Sequence, residues 1–232
     1  MADPTSSPLR LALIGMSGTG KTFWSKRLAQ AGHPAFCCDD RIEQRLRTRL
    51  GGGFAGTTGV ASWMGWPDSP TYAQREAEYL AEEIATLDEV LTDLQRNPSS
   101  ELILDTTGSV IYTGNNILMR LRRQMTVVYL AASAEEQQLL IERYLTDPKP
   151  VLWRGAFQPK NGETSHQTVA RCYPTLVGAR RQSYEALAHC TLPVGELHAL
   201  SETPESASSG AEEFLEKVRA QIEKKSGRAS GL

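Results

Sequence analysis

Clustered positive charge is the first thing this sequence is short of: 25 lysines and arginines stand against 27 aspartates and glutamates, for a formal net charge of −2. Binding to a nucleic-acid backbone draws on a concentrated cationic surface, so no nucleic-acid partner is expected. The local run Arg120, Arg122 and Arg123 reads as a solvated helix face. Cysteine is scarce as well. Cys37, Cys38, Cys172 and Cys190 show no CxxC spacing, which suggests neither a disulfide framework nor a zinc site and fits a reduced, cytoplasmic setting. His33, His166, His189 and His198 form no metal-spacing motif. No apolar run approaches the roughly 20 residues of a membrane span, and Met1 to Pro8 is polar rather than signal-like; no membrane partner is expected. The length of 232 residues suits one sizeable α/β domain with insertions, expected to act as a monomer.

What the chain does carry is a phosphate-cradling motif. Gly15-Met16-Ser17-Gly18-Thr19-Gly20-Lys21-Thr22 fits the P-loop pattern GxxxxGK followed by Ser or Thr, directly after the apolar stretch Leu9 to Ile14. Glycines let successive backbone N–H groups curl around phosphate oxygens, and the helix that follows points its positive end at the same anion. Lys21 is placed to reach the β/γ-phosphates. Thr22 offers a hydroxyl to Mg²⁺, a hard cation that prefers oxygen ligands and keeps several waters. A nucleoside triphosphate and Mg²⁺ are therefore expected as cofactors. Phe23, Trp24, Leu28 and Ala31 continue a helical stripe that Gly32 and Pro34 stop.

Strand and helix signals then alternate. Strands are expected at Ala35 to Cys38, Leu102 to Asp105, Thr126 to Ala131 and Thr191 to Val194. Helices are expected over Tyr72 to Leu94, Gly114 to Gln124, Ala134 to Leu145 and Ser165 to Ala188. This predicts a mainly parallel five-stranded sheet between helices, the three-layer α/β/α sandwich of P-loop NTPases. The organisation expected is a disordered segment 1–8, a domain over 9–200, a linker at 201–210, a terminal amphipathic helix at 211–224 and a disordered tail at 225–232. Two irregular stretches interrupt the domain. Residues 51–70 are rich in glycine and tryptophan, which either line a pocket or anchor the insertion by buried area. Residues 146–166 are polar and broken by Pro148, Pro150, Gly155, Pro159 and Gly162, and read as a lid.

Four stretches in this order resemble the shikimate kinase family of small P-loop kinases, over most of Leu9 to Val194. They are the P-loop, which also satisfies the narrower GxxGxGK spacing; Cys38-Asp39-Asp40-Arg41; Leu102-Ile103-Leu104-Asp105-Thr106-Thr107-Gly108 with the strand Thr126 to Leu130; and Arg143, Lys149-Pro150-Val151-Leu152 and Arg180 to Tyr184. The resemblance implies ATP-dependent phosphorylation of a hydroxyl on a small polar metabolite, shikimate being the first candidate. It implies Arg143 and the P-loop as nucleotide contacts and Lys149 as the lid cation. Asp40, Thr106, Thr107, Gly108 and Arg180 are implied as acceptor contacts. Thr22 and Asp39 are implied about the metal, and Lys21, Asp39, Asp40 and Lys149 as the catalytic residues, while Asp105 is a metal candidate from its Walker-B-like place at the end of the third strand.

The chain departs from that pattern in five ways. Two adjacent acids replace an alternate pair, so either Asp39 or Asp40 takes the acceptor role. Asp105 stands where the family has an uncharged residue: a metal partner, a second acceptor-binding acid, or a cap for Thr106-Thr107. Only Gly108 remains of a run of three glycines, and Ala73 takes the place of a substrate arginine, with Arg75 nearby. Lys149 replaces an arginine and loses its planar fork, for which Arg154 offers compensation. Two other readings stay open: an NTPase switch, and a nucleotide-binding sensor without transfer activity.

Overall fold

Alternate residues of the first strand feed two different cores. In the computed structural model, which describes residues 8–50, 56–147, 149–201 and 207–229, Leu11 and Leu13 pack on one side of the sheet and Ala12 and Ile14 on the other. A strand covered on both faces must be apolar at both phases of its two-residue period, and this one is fully buried from Leu11 to Ile14.

The strands are β1 (Arg10–Ile14), β2 (Ala35–Cys37), β3 (Leu102–Asp105), β4 (Thr126–Ala131) and β5 (Cys190–Pro193). They pair in parallel throughout, in the order β2-β3-β1-β4-β5, each within a residue of its expected position. Around them lie α1 (Lys21–Gln30), α2 (Cys38–Leu50), α3 (Gly56–Met64), α4 (Tyr72–Arg96), α5 (Asn115–Gln124), α6 (Ala134–Thr146), α7 (Ser165–Leu187), α8 (Val194–Ser201) and α9 (Ala207–Ala229). The predicted α/β/α sandwich is the observed fold. Among the described residues no helix is long and apolar enough to cross a membrane.

On the face of Leu11 and Leu13, α1 and α9 cover the sheet, with Trp24 stacked on Phe214 at 4.8 Å between ring centroids. On the other face the larger core gathers residues of α4, α5 and α7 and the segment Val151 to Trp153.

Several segments differ from expectation. Residues 56–64 form α3 rather than irregular chain: Val60, Ala61 and Met64 supply a helical apolar stripe, and the glycines that suggest disorder, Gly56 (φ 70°) and Gly65 (φ 77°), stand at its ends. The C-terminal helix starts at Ala207 and reaches Ala229, because Ala211, Phe214, Leu215 and Val218 are buried beside α1. It takes in the end of the expected linker and the start of the expected tail. Residues 1–7, 51–55, 148, 202–206 and 230–232, which hold the remainder of those expectations, lie outside the described residues.

Candidate active site

The carboxyl ends of β1, β2 and β3 meet at one crevice, where open α/β sheets bind ligands. From β1 the chain turns through Gly15 to Gly20 into α1. Only glycine fits at position 15: its φ is 143°, and a Cβ there would stand 2.8 Å from the Leu130 carbonyl oxygen. The first turn of α1 carries no side-chain cap and no acid, so its N–H groups and dipole are available to an anion. Lys21, 6% exposed, donates to the carbonyls of Gly15 at 3.0 Å and Met16 at 2.9 Å. Burial lowers its pKa, against the opposing pull of Asp105 and Asp39. Thr22 is exposed one residue on.

Two acids, Asp39 and Asp105, face this lysine, and Asp40 lies beside the first. Asp39 and Asp40 lie in the first turn of α2, just past β2. Asp39 accepts a hydrogen bond from the Tyr79 hydroxyl at 3.1 Å, and burial pushes its pKa up to about 6 in spite of Lys21. Asp40 is exposed. Asp105 ends β3 beside Cys37 and is 1% exposed. Neither of its oxygens has a well-formed hydrogen bond, although the Thr22 hydroxyl and Cys37 thiol lie near enough to draw its pKa down; burial wins and raises it. A carboxylate hidden from water with both oxygens unpartnered is costly unless a cation serves it. These oxygens, beside the Thr22 hydroxyl, fit a hydrated Mg²⁺. Among the described residues no cluster of three His, Cys, Asp or Glu offers a denser metal cage.

Of the expected acceptor residues, Thr106, Thr107 and Arg180 turn inward. The Thr106 hydroxyl donates to the Leu13 carbonyl at 2.7 Å. Thr107 and Ser109 both donate to Glu83, Ser109 at 2.6 Å. Glu83 is fully buried and its pKa is pushed up to about 7 by desolvation. Arg180, 2% exposed, donates to the carbonyls of Leu152 at 2.6 Å and Gly108 at 3.0 Å, with its guanidinium 5.2 Å from the Tyr112 ring centroid. Gly108 abuts the P-loop, where an added Cβ would lie 3.3 Å from the Ser17 nitrogen.

The start of the expected lid is pinned to α4. Tyr72 places its hydroxyl 2.7 Å from the Val151 carbonyl and 3.0 Å from the Glu76 carboxylate, and accepts the Trp153 N–H at 3.0 Å. Glu76 also accepts the Arg154 N–H at 3.0 Å. Arg154 thus joins this staple rather than the phosphate side. Lys149 pairs with Asp147 at 2.7 Å. It lines a cavity of about 260 Å³ together with Ser17, Gly18 and Arg143. Arg143 and Gly18 also border a neighbouring cavity of about 300 Å³, completed by Phe23, Trp24, Val194 and His198.

Lys21, Thr22, Asp39 and Asp105 are therefore brought together; Arg143 and Lys149 flank the P-loop; Thr106, Thr107 and Arg180 are enclosed. Tyr79 and Glu83 were missed as site neighbours. Their signal was their spacing: Glu76, Tyr79 and Glu83 recur on the buried stripe of α4, and an acid at such a position implies a partner.

No protein-family model matches the sequence, and no curated protein does. Among solved structures the chain is similar to the shikimate kinase from Acinetobacter baumannii in complex with shikimate, at 22% identity and a TM-score of 0.56 over 91% of this chain and 94% of that one. It is similar to the shikimate kinase from Bacteroides thetaiotaomicron (18%, TM-score 0.55, 91% and 98% covered) and to that from Aquifex aeolicus (14%, TM-score 0.53, 91% and 97% covered). The fold of this chain is the fold of the shikimate kinases.

Proposed function

We propose that the protein is an ATP-dependent kinase that moves the γ-phosphoryl group to a hydroxyl of a small metabolite. The observation that carries this reading is the convergence of the Asp39 and Asp105 carboxylates on the buried Lys21 at the mouth of an uncapped P-loop helix. Backbone N–H groups of Gly15 to Thr22 cradle the phosphates, and Lys21 exchanges its two loop carbonyls for β- and γ-phosphate oxygens. Arg143 and Lys149, on the flank, meet further phosphate charge. Thr22, Asp39 and Asp105 would hold Mg²⁺, which when bound neutralises charge on the phosphates.

In the transfer, the acceptor oxygen bonds to the γ-phosphorus as the bond to the β–γ bridging oxygen breaks. The hydroxyl proton passes to a carboxylate, for which Asp40 is exposed and Asp39 is held by Tyr79. The acceptor role is therefore given to Asp40 and the metal side to Asp39. Shikimate, bound by one of the structures that share the fold, is the first acceptor to test.

With ATP, Mg²⁺ and a metabolite panel, ADP release should require an acceptor. Asp40→Asn should slow transfer by about 10²- to 10⁴-fold and leave ATP affinity unchanged. Release that needs no acceptor would favour an NTPase switch, and nucleotide binding without turnover would favour a sensor.

A further inference from the structure

Thr106, Thr107 and Arg180 are at most 2% exposed, so three of the residues expected to grip an acceptor are sealed from one, while Asp40 stays exposed. Open space lies instead between the end of α3 and the start of the lid. A cavity of about 190 Å³ is walled there by Ala61, Met64, Trp66, Tyr144, Pro150 and Val151. Among the described residues its polar side-chain groups are those of Ser62 and Lys149, the Tyr144 hydroxyl and the Trp66 indole N–H. Tyr144 and Lys149 also line the cavity of about 260 Å³ that carries Ser17 and Gly18 of the P-loop. The two cavities thus share Tyr144 and Lys149; one of them opens on the P-loop, and both are lined mainly by apolar surface.

We propose that this second cavity is the acceptor pocket, and that it takes a hydroxylated molecule built on a single ring with apolar faces rather than an acceptor gripped by its carboxylate. The inference rests on the phosphotransfer reading above. Three observations carry it. Size comes first: an apolar cavity of roughly 150 Å³ accommodates benzene, so about 190 Å³ holds one six-membered ring and a short substituent. Chemistry comes second, because the lining is mainly apolar and the side chains of Ala61, Met64, Pro150 and Val151 offer no partner, so a ring bearing several hydroxyls would leave some of them unpaired. Charge comes third. Lys149 is already paired with Asp147 at 2.7 Å, and Arg180 is bound to the Leu152 and Gly108 carbonyls, so an entering carboxylate would have to share Lys149 with Asp147. A hydroxyl has only to sit at the shared wall, on the side of Lys149 and Tyr144.

The test is calorimetric titration of the full chain with benzyl alcohol and, separately, with shikimate. Benzyl alcohol should bind about tenfold more tightly or better. Ala61→Phe fills the cavity from α3 and should weaken that binding by about tenfold or more. Ser62→Trp acts from the exposed rim and should do the same even where Ala61→Phe disturbs folding. Equal or tighter binding of shikimate, or unchanged binding of the alcohol in both variants, would overturn the proposal. ADP release with ATP and Mg²⁺ separates the two readings. Shikimate-driven release that Ala61→Phe leaves untouched overturns the pocket alone. Binding of the alcohol without any acceptor-dependent release overturns phosphotransfer, and the acceptor role with it.

Discussion

Lys21 and Arg180 are both buried cations in one crevice, yet they are held in opposite ways. Lys21 takes its partners, Gly15 and Met16, from its own loop, and faces the carboxylates of Asp39 and Asp105. Its single ammonium on a flexible stem can exchange those carbonyls for phosphate oxygens without disturbing the fold. Arg180 draws its partners from the β3 turn and the lid, 72 and 28 residues away in sequence, and among the described residues it forms no ion pair within 4 Å. Its planar fork is a strut between three segments. The phosphate side of the crevice is thus built to exchange partners. The side facing it is built to keep them.

That contrast can be broken experimentally. Lys21→Ala should lose turnover by on the order of 10³-fold while the fold, read by urea denaturation, is hardly changed; equal losses of stability and turnover would make Lys21 a strut as well. Arg180→Met should cost about 3–5 kcal/mol of stability, because it strands the Leu152 and Gly108 carbonyls. Nucleotide affinity of the folded protein should survive. A loss below about 1 kcal/mol accompanied by a collapse in acceptor affinity would return Arg180 to the ligand.

The smallest effect belongs to Glu83. Its folded pKa, about 7, lies above its ordinary value of 4.5, so the folded state binds more protons than the unfolded one across that window. Stability then falls as pH rises from about 4.5 to 7 and levels off above. Asp39, with a folded pKa of about 6 against 3.8, contributes in the same sense at lower pH. Between about pH 6 and 7 the slope is mostly that of Glu83, on the order of 1 kcal/mol per pH unit. Urea midpoints of Glu83→Gln across that interval should be nearly flat; an undiminished slope would place the titration elsewhere.

How much of this was legible follows from the range of the interactions. Strand, loop and helix at the P-loop are written in consecutive residues, and β1 announces its two covered faces by being apolar at both phases. Asp105 could be located at a strand end, but its role stayed open because the sequence does not tell that both its oxygens are hidden and unpartnered. The closure of the β3 turn was invisible. Glu83 reaches Thr107 across 24 residues, and Arg180 reaches farther, so the residues of an expected acceptor site and of a tertiary strut look alike in the sequence. The helix α3 was hidden by glycines that mark its ends rather than its absence.

Tyr72 has a consequence for motion. Its hydroxyl, with Glu76, fixes the chain from Val151 to Arg154, and the cap of α7 fixes it again at Thr164. Arg154 and Gly155, at φ 49° and 80°, form the bend where the held chain ends. Any opening beside the P-loop therefore belongs to the chain ahead of Val151, where Asp147 and Lys149 border the cavity, because the chain beyond the bend is tied back by the Trp153–Phe157 ring contact and by Arg171 on Gln158 and Glu163. The stapled stretch is a fixed stop for such motion, so the wall that Val151 contributes keeps its place while the flank beside it moves.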